Sequence, residues 1–240
     1  MSGHSKWAQI KRQKAVTDQR RSGLFTKLAK GISVAAKQGG PDPEMNFRLR
    51  MAIDTARSAN MPNDNIERAI QRAAGVGEGA IIEEVVYEAY GPHGVAVIIE
   101  AATDNKNRTA SDIKRILSHN NANLGSTNSV RWMFTSKGII RVDREDVSDP
   151  EAFELAAIEG GAEDIRTDPE GFTITSTPES LPSLKKHLEK NQFRLTSTEI
   201  ESVPQSTVPL DEAGRNGIQK LIEELEESED VTNIFTNAEI

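Results

Sequence analysis

The spacing of apolar residues changes at a glycine-rich segment, residues 75–79, in which three of the five positions are glycine. Before this segment, apolar side chains recur every three or four residues, which is the period of an amphipathic helix. After it, β-branched and aromatic residues gather in short runs between turn residues, as they do in strands. Since glycine leaves the backbone free to adopt many conformations, the segment is predicted to link a helical part to an α/β part.

An N-terminal arm and a first amphipathic helix are predicted before this linker. The apolar stripe of the helix, within residues 22–37, is formed by Leu24, Phe25, Leu28, Ile32 and Ala35. On a helical wheel, Lys27, Lys30 and Lys37 fall on the opposite side. The pattern therefore predicts a helix with one packed face and one cationic face.

Two further helices complete the predicted helical part. Apolar positions from Met45 to Ala56 recur at helical spacing. Asp64, followed by Glu67 three residues later, is typical of a capping pair and predicts the start of the third helix. Residues 1–78 are therefore expected to form a helical domain with a preceding arm.

The residues beyond the linker are predicted to form an α/β part. Runs 81–90 and 95–101 are rich in strand-forming residues, and the turn at residues 91–94 between them predicts an antiparallel hairpin. The next expected elements, in order, are a helix, a loop and a strand over residues 109–119, 120–128 and 129–134.

Between residues 138 and 201 the predicted order is strand, helix, strand, strand, helix, strand. This βαββαβ order is ferredoxin-like, a sheet with two helices on one face. The elements predicted after Pro204 complete no fold alone, so we infer that they rejoin the sheet of the hairpin. The predicted fold class is α+β with three domains, an N-terminal helical domain plus two α/β domains: residues 1–78, residues 79–132 with 205–240, and an inserted ferredoxin-like domain at 133–204.

Charge is distributed unevenly along the chain. The formal net charge is −8, yet the first 37 residues hold nine Lys or Arg and one acid, Asp18. Up to Arg72 the net charge is +8, so the remaining residues carry −16. A phosphate backbone responds to the local field within about 10 Å at moderate salt. The N-terminal end is therefore predicted to bind a polyanion.

No catalytic site, metal site or cofactor is predicted from the residue types. The chain has no Cys, which excludes disulfides, thiolate metal sites and Cys nucleophiles. Its four His residues lack metal-ligand spacing, and no nucleotide-binding or hydrolase motif occurs. The acidic residues 223–230 are typical of a solvated helix face. A metal-dependent hydrolase that uses Glu223 and Glu224 is the alternative.

A cytoplasmic protein is predicted, with no membrane partner. The longest apolar run, residues 95–99, is far shorter than the roughly 20 residues that span a bilayer. No apolar segment follows the N-terminal charges, so no secretion signal is expected. A monomer is favoured.

Two segments combine residue types that are used in nucleic-acid binding. Trp7 lies in the basic arm, where its ring either packs onto the helices or stacks on an unpaired base, worth about 1 to 3 kcal/mol. Residues 104–109 lie between a strand and a helix and either only start that helix or also contact phosphate. The predicted nucleic-acid-binding residues are His4, Ser5, Lys6, Trp7, Lys11, Arg12, Lys14, Arg20, Arg21, Lys27, Lys30, Asn105, Lys106 and Arg108.

Six long motifs occur in order along the chain: MSGHSKW at 1–7, RRSGLFTKL at 20–28, NMPNDNIERAI at 60–70, YEAYGP at 87–92, TDNKNRT at 103–109 and PQSTV at 204–208. Together they resemble the YebC/PmpR family from the first residue to the last, so no presequence is expected. Departures from the family pattern are Arg12 and Gln13, where many members have His-Arg, and Arg131 before Trp132, where a small residue is common; neither removes positive charge.

The resemblance implies three domains, one helical and two α/β, and a regulator of gene expression. Members are labelled as probable DNA-binding transcriptional regulators, and a mitochondrial branch activates translation. A ribosome-bound role that eases stalling at proline runs is also implied. The binding residues that the resemblance implies are those of the basic arm and helical domain from His4 to Lys37 and those of the 103–109 motif.

Duplex DNA and ribosomal RNA are both possible targets on the sequence alone. We favour RNA, because no helix-turn-helix with a base-reading face is evident and an arm suits a structured groove. Besides the hydrolase, a second alternative is a scaffold whose basic face docks an acidic protein.

Overall fold

The computed structural model describes residues 18–75 and 81–239, with side chains described from residue 22 onward. These residues form two units. The first contains the described residues up to Phe134 and those from Pro204 onward, and the second is Thr135–Val203. No helix within these ranges is both long and apolar enough to cross a membrane.

Three helices come first in the described chain, and strands are interspersed with helices after them. The helices are α1 (Asp18–Gly39), α2 (Phe47–Ser58), α3 (Asn63–Ala73), α4 (Lys106–His119), α5 (Pro150–Glu159), α6 (Leu181–Lys190) and α7 (Glu212–Glu226). The strands are β1 (Glu83–Tyr90), β2 (Ala96–Thr103), β3 (Asn123–Leu124), β4 (Phe134–Asp143), β5 (Asp164–Thr167), β6 (Gly171–Ser176), β7 (Ser197–Pro204) and β8 (Val231–Thr236). They form two four-stranded sheets, which confirms the predicted α+β class.

Helices α1, α2 and α3 share one apolar core. Its buried side chains include Ile32 of α1, Leu49 of α2 and Ile66 of α3. Asn46 caps α2, because its side chain accepts a hydrogen bond from the Leu49 N–H at 3.0 Å. The same side chain donates to the Ala35 carbonyl at 2.8 Å, which ties the start of α2 to α1.

Two details predicted for these helices are wrong. α3 begins at Asn63, and Pro62 at the cap position makes no side-chain hydrogen bond. Asp64 therefore lies inside the first turn, where its charge favours the helix N-terminus without capping it. Met45 precedes α2 and is 84% exposed, so it does not belong to the apolar stripe.

The sheet of the first unit is antiparallel, in the order β3-β1-β2-β8. Ile99 of β2 lies opposite Tyr87 of β1 on one side and Ile234 of β8 on the other. A buried apolar core joins the sheet to α4 and α7 through Ile113 and Leu221. The chain thus leaves the first unit after Phe134 and returns to complete its sheet.

The strand predicted over residues 129–134 is wrong for most of its length. Arg131–Met133 forms a single 3-10 turn, and β4 begins only at Phe134. The reason is the buried carboxylate of Glu88, which takes the backbone donors that a strand would use. It accepts hydrogen bonds from the N–H groups of Asn128, Val130 and Arg131, at 2.7, 2.8 and 2.9 Å.

The second unit has the strand order β5-β6-β4-β7, and with α5 and α6 this is the ferredoxin-like arrangement. Its core contains the ring of Phe153 from α5, centred 4.9 Å from that of Phe172 and 5.0 Å from that of Phe193. Arg141 of β4 and Glu201 of β7 form a largely buried ion pair at 2.6 Å.

Candidate nucleic-acid interface

Most of the predicted arm residues lie outside the described part of the chain. These are His4, Ser5, Lys6, Trp7, Lys11, Arg12 and Lys14. Arg20 and Arg21 belong to the start of α1, and their side chains also lie outside the described part. The structure places the remaining predicted residues, which are Lys27, Lys30, Asn105, Lys106 and Arg108.

Lys27 does not lie on an exposed cationic face, so that prediction is wrong. The residue is 7% exposed, and its ammonium group donates a hydrogen bond to the carbonyl oxygen of Glu226 at the end of α7. A helical wheel shows which residues share a face but not which faces are covered. Here the end of α7 contacts α1 on the side opposite its apolar stripe.

Asp230, just before β8, is the centre of a polar junction that ties α1 to α4. Lys30 Nζ lies 2.5 Å from Asp230 Oδ1, and Arg108 Nη2 lies 3.0 Å from Oδ2. The Thr109 hydroxyl donates to Oδ2 at 2.6 Å. The Asp230 side chain is only 8% exposed. We call Lys30, Arg108, Thr109 and Asp230 the Asp230 junction; it places two predicted nucleic-acid ligands on one carboxylate of the same chain.

The pKa of Asp230 is lowered to about 2. Burial raises the pKa, but hydrogen bonds from Lys30, Thr109 and Arg108 and the positive charge of Lys30 outweigh burial. The carboxylate is therefore ionised at neutral pH and pairs with both cations, while Asp104, 2.8 Å from Arg108, supplies the second negative charge.

We expect the Asp230 junction to make folding sensitive to acid. Because the folded-state pKa lies below the ordinary Asp value of 3.8, the junction contributes fully above about pH 4 and loses its contribution as the pH falls through about 2. The measurement is the free energy of unfolding in urea, from about pH 5 to about pH 2, for the unsubstituted chain and for Asp230→Asn. The difference between the two should shrink towards acid pH, and a constant difference would contradict the assignment.

The 103–109 motif builds the start of α4. The Asn105 side chain accepts a hydrogen bond from the Arg108 N–H at 3.1 Å and caps the helix, so the segment starts a helix as expected, but three residues earlier than the predicted start at Thr109. Lys106 pairs with Glu83 at 2.8 Å, and both side chains are about half exposed. Since such an exposed pair contributes little, Glu83 is a weak competitor for the Lys106 ammonium group.

A polar cleft of about 960 Å³ opens beside the junction. Its wall carries four bases, Lys30, Arg72, Arg108 and Arg115, and six acids, Asp104, Asp112, Glu224, Glu227, Glu229 and Asp230. Arg72 and Arg115 are exposed, and neither forms an ion pair with any residue that the structure describes. Since Lys30 and Arg108 are paired with Asp230 and Asp104, a phosphate near the cleft would meet unpaired positive charge on these two arginines, against repulsion from the acids of the same wall.

The C-terminal acids do not form a metal site with described residues. Within residues 18–75 and 81–239, no group of three or more His, Asp or Glu side chains could hold a metal ion. Glu224 instead contacts His119 Nδ1 at 3.1 Å and accepts from the Asn120 amide at 2.8 Å. Glu223 accepts from Gln219 at 3.0 Å.

Sequence reasoning missed Asp230 as a site residue. It stands at the end of the acidic run, which the charge pattern assigned to a solvated face. Its partners Lys30 and Arg108 lie 200 and 122 positions away, so no local pattern indicates the pairing.

Comparison with known proteins gives one consistent result over the whole chain. Two family models match, "TACO1/YebC protein N-terminal domain" over residues 5–76 and "TACO1/YebC second and third domain" over residues 82–238. A "probable transcriptional regulatory protein" of Desulforamulus reducens is 48% identical over 240 residues, covering 100% of this chain and 99% of its own length. A relative of that name in Chlorobium luteolum is 48% identical over 241 residues, covering 100% and 96%. The crystal structure of a conserved hypothetical protein from Aquifex aeolicus is 44% identical with a TM-score of 0.86, covering 94% of this chain and 93% of its own.

Proposed function

Because the chain belongs to the TACO1/YebC family, we propose that it is a non-enzymatic regulator of gene expression that acts by binding nucleic acid. The names of its relatives favour a regulatory role. The observation that carries the proposal is the charge asymmetry, with nine bases against one acid in the first 37 residues of a chain whose net charge is −8. Such a segment attracts a phosphate backbone whatever the total charge is.

The Asp230 junction limits which Lys and Arg side chains are available to contact phosphate. Lys27 and Lys30 are held by the end of α7 and by Asp230, so the helix that carries them is fixed to the α/β part rather than free. We propose that the basic arm, together with the exposed Arg72 and Arg115, makes the main phosphate contacts. The 103–109 motif positions α4 and contributes Lys106.

We propose single-stranded or structured RNA, in particular ribosomal RNA, as the favoured target. A short connection, residues 59–62, joins α2 to α3, so α3 would be the recognition helix of a helix-turn-helix. Its N-terminal half presents the exposed acids Asp64 and Glu67, at the position where such a helix approaches base edges. These charges disfavour a duplex major groove, and promoter DNA is accordingly the second candidate.

We expect the affinity for RNA to fall steeply with salt. If about five basic side chains contact phosphates of a single strand, the slope of log K against log salt is about −3.5, at roughly 0.7 per contact. Replacing Lys11, Arg12 and Lys14 with Ala should flatten this slope by about 2. The measurement is fluorescence anisotropy of a labelled single-stranded RNA over a range of salt concentrations.

A matched control removes the same charge from the second unit. Lys186, Lys190 and Arg194 are exposed there, and their replacement with Ala should leave the slope unchanged. An arm variant that binds with the slope and affinity of the unsubstituted chain would overturn the proposal.

Crosslinking in living cells separates the two nucleic-acid targets. The proposal predicts reads concentrated on ribosomal RNA, from a protein that sediments with ribosomes. Reads concentrated on promoter DNA would move the function to transcription and contradict the RNA assignment.

A further inference from the structure

The segment between β3 and β4 presents an exposed tryptophan. Trp132 is 68% exposed, although its side chain has a large apolar surface that folding usually buries. Arg131 beside it is also exposed. We call residues 125–133 the aromatic loop, and none of its residues lines the cleft beside the Asp230 junction.

The indole is held by its polar edge. Its Nε1–H donates to the Ser129 carbonyl at 3.0 Å, and the Tyr90 hydroxyl donates to the same carbonyl at 2.8 Å. Gln205 fixes the end of the loop, because its backbone N–H donates to the Met133 carbonyl at 2.9 Å. The single donor of the indole is therefore satisfied inside the protein, while most of the ring surface is exposed to solvent.

Glu88 holds the backbone of the same loop. Its carboxylate is buried and accepts the three backbone hydrogen bonds from Asn128, Val130 and Arg131 described above. Burial raises the pKa of Glu88, but these three donors and the charge of Arg131 lower it below its ordinary value. A charged carboxylate thus orders the loop before any ligand binds, which reduces the entropy that binding would cost.

The charge of the surrounding sequence favours an anionic ligand. Residues 113–142 contain no Asp or Glu, in a chain with 37 acids. The exposed residues Ser126, Thr127 and Asn128 add neutral hydrogen-bonding groups beside the aromatic ring. Unpaired bases are recognised by stacking on aromatic rings, by hydrogen bonds to their edges and by cations on the adjoining phosphates.

We propose that the aromatic loop is a second RNA contact, in which Trp132 stacks on an unpaired base and Arg131 binds the adjoining phosphate. This inference rests on the proposed RNA-binding function. It adds a base-stacking contact that is separate from the phosphate contacts of the arm.

The test uses the full chain with Trp7→Phe, so that Trp132 is the single tryptophan. The probe is a single-stranded oligouridylate of about 12 nucleotides, a length within the range of single-strand binding sites. Its matched control is an abasic ribose-phosphate strand of the same length. Binding is followed by anisotropy of the labelled strand, and stacking by quenching of Trp132 fluorescence.

We expect the oligouridylate to quench the fluorescence of Trp132 and the abasic strand to leave that fluorescence unchanged. In the Trp7→Phe background, Trp132→Ala should weaken oligouridylate binding roughly tenfold without changing the salt slope, while Trp132→Phe should retain most of the affinity. Arg131→Gln should make the slope of log K against log salt for the oligouridylate shallower by about 0.7, because one phosphate contact is lost. Leu155→Ala, at an exposed apolar residue of the second unit, should change neither quantity.

Two kinds of failure are distinguishable. If the strand binds through the arm but Trp132 is not quenched and Trp132→Ala binds equally well, the aromatic loop is not an RNA contact. Equal quenching by the abasic strand would also overturn base stacking. If no anisotropy change occurs even at low salt, the proposed RNA-binding function itself fails.

Discussion

Replacing Asp230 with Asn is expected to lower the free energy of unfolding of the first unit by about 3 kcal/mol. The substitution keeps the shape of the side chain but leaves Lys30, whose side chain is 15% exposed, without its counter-charge. Arg108 retains Asp104 at 2.8 Å, so the largest part of the loss is assigned to Lys30. Urea unfolding, followed by Trp132 fluorescence in the Trp7→Phe chain, reports on this unit separately from the second.

Glu227→Gln is the matched control for this experiment. Glu227 belongs to the same acidic run and is exposed. Its substitution should therefore change the free energy of unfolding by no more than about 0.5 kcal/mol. A loss for Asp230→Asn as small as that of the control would mean that the junction is only a surface ion pair. Adding Lys30→Met to Asp230→Asn should recover part of the loss, since the unpaired charge is then removed.

The sequence predicts best where the deciding interactions are local. The 104–109 segment is predicted to start a helix, and it does so because the cap residue Asn105 and the N–H that it accepts from lie only three positions apart. The βαββαβ order of the second unit is also predicted correctly from the sequence, since the apolar residues of each element have the period of a helix or of a strand. The start of α3 was misplaced even though Asp64 and Glu67 have cap-pair spacing, because Pro62 at the preceding position leaves the helix without a side-chain cap.

The candidate site was predicted less well, because distant segments build it. The helical periodicity predicts an exposed face for Lys27, and only the tertiary contact with the end of α7 shows that it is buried. Asp230 was grouped with solvated acids, although its environment differs from that of exposed Glu227 in the same run. Burial and long-range pairing are properties of the folded chain, and charge patterns in the sequence do not report them.

Glu88 is a second case of this kind, because a carboxylate in a predicted hairpin strand gives no reason to expect a structural role. Its side chain points to backbone donors about 40 positions away, and those contacts replaced a predicted strand with the aromatic loop. The same carboxylate therefore decides both the local fold and the exposure of Trp132.

Replacing Glu88 with Gln is expected to lower the free energy of unfolding of the first unit by about 2 kcal/mol. An amide NH₂ would replace one carboxylate oxygen and would face a backbone N–H, so at least one donor would be left buried and unpaired. Hydrogen exchange of the Asn128, Val130 and Arg131 amides should quicken by roughly tenfold or more, since a loss of about 1.4 kcal/mol in local opening corresponds to a factor of ten.

Glu83→Gln provides the control on the same strand, because it removes an exposed charge that pairs only with Lys106 in the described structure. It should leave both the stability of the first unit and the hydrogen exchange of the aromatic loop essentially unaltered. If Glu88→Gln left the three amides as protected as before, the carboxylate would not be what orders the loop. Glu88→Gln could instead quicken the exchange of these amides and also weaken the quenching of Trp132 by oligouridylate. The ordering of the loop and its binding to RNA would then have the same physical origin, because a disordered loop has to be ordered on binding.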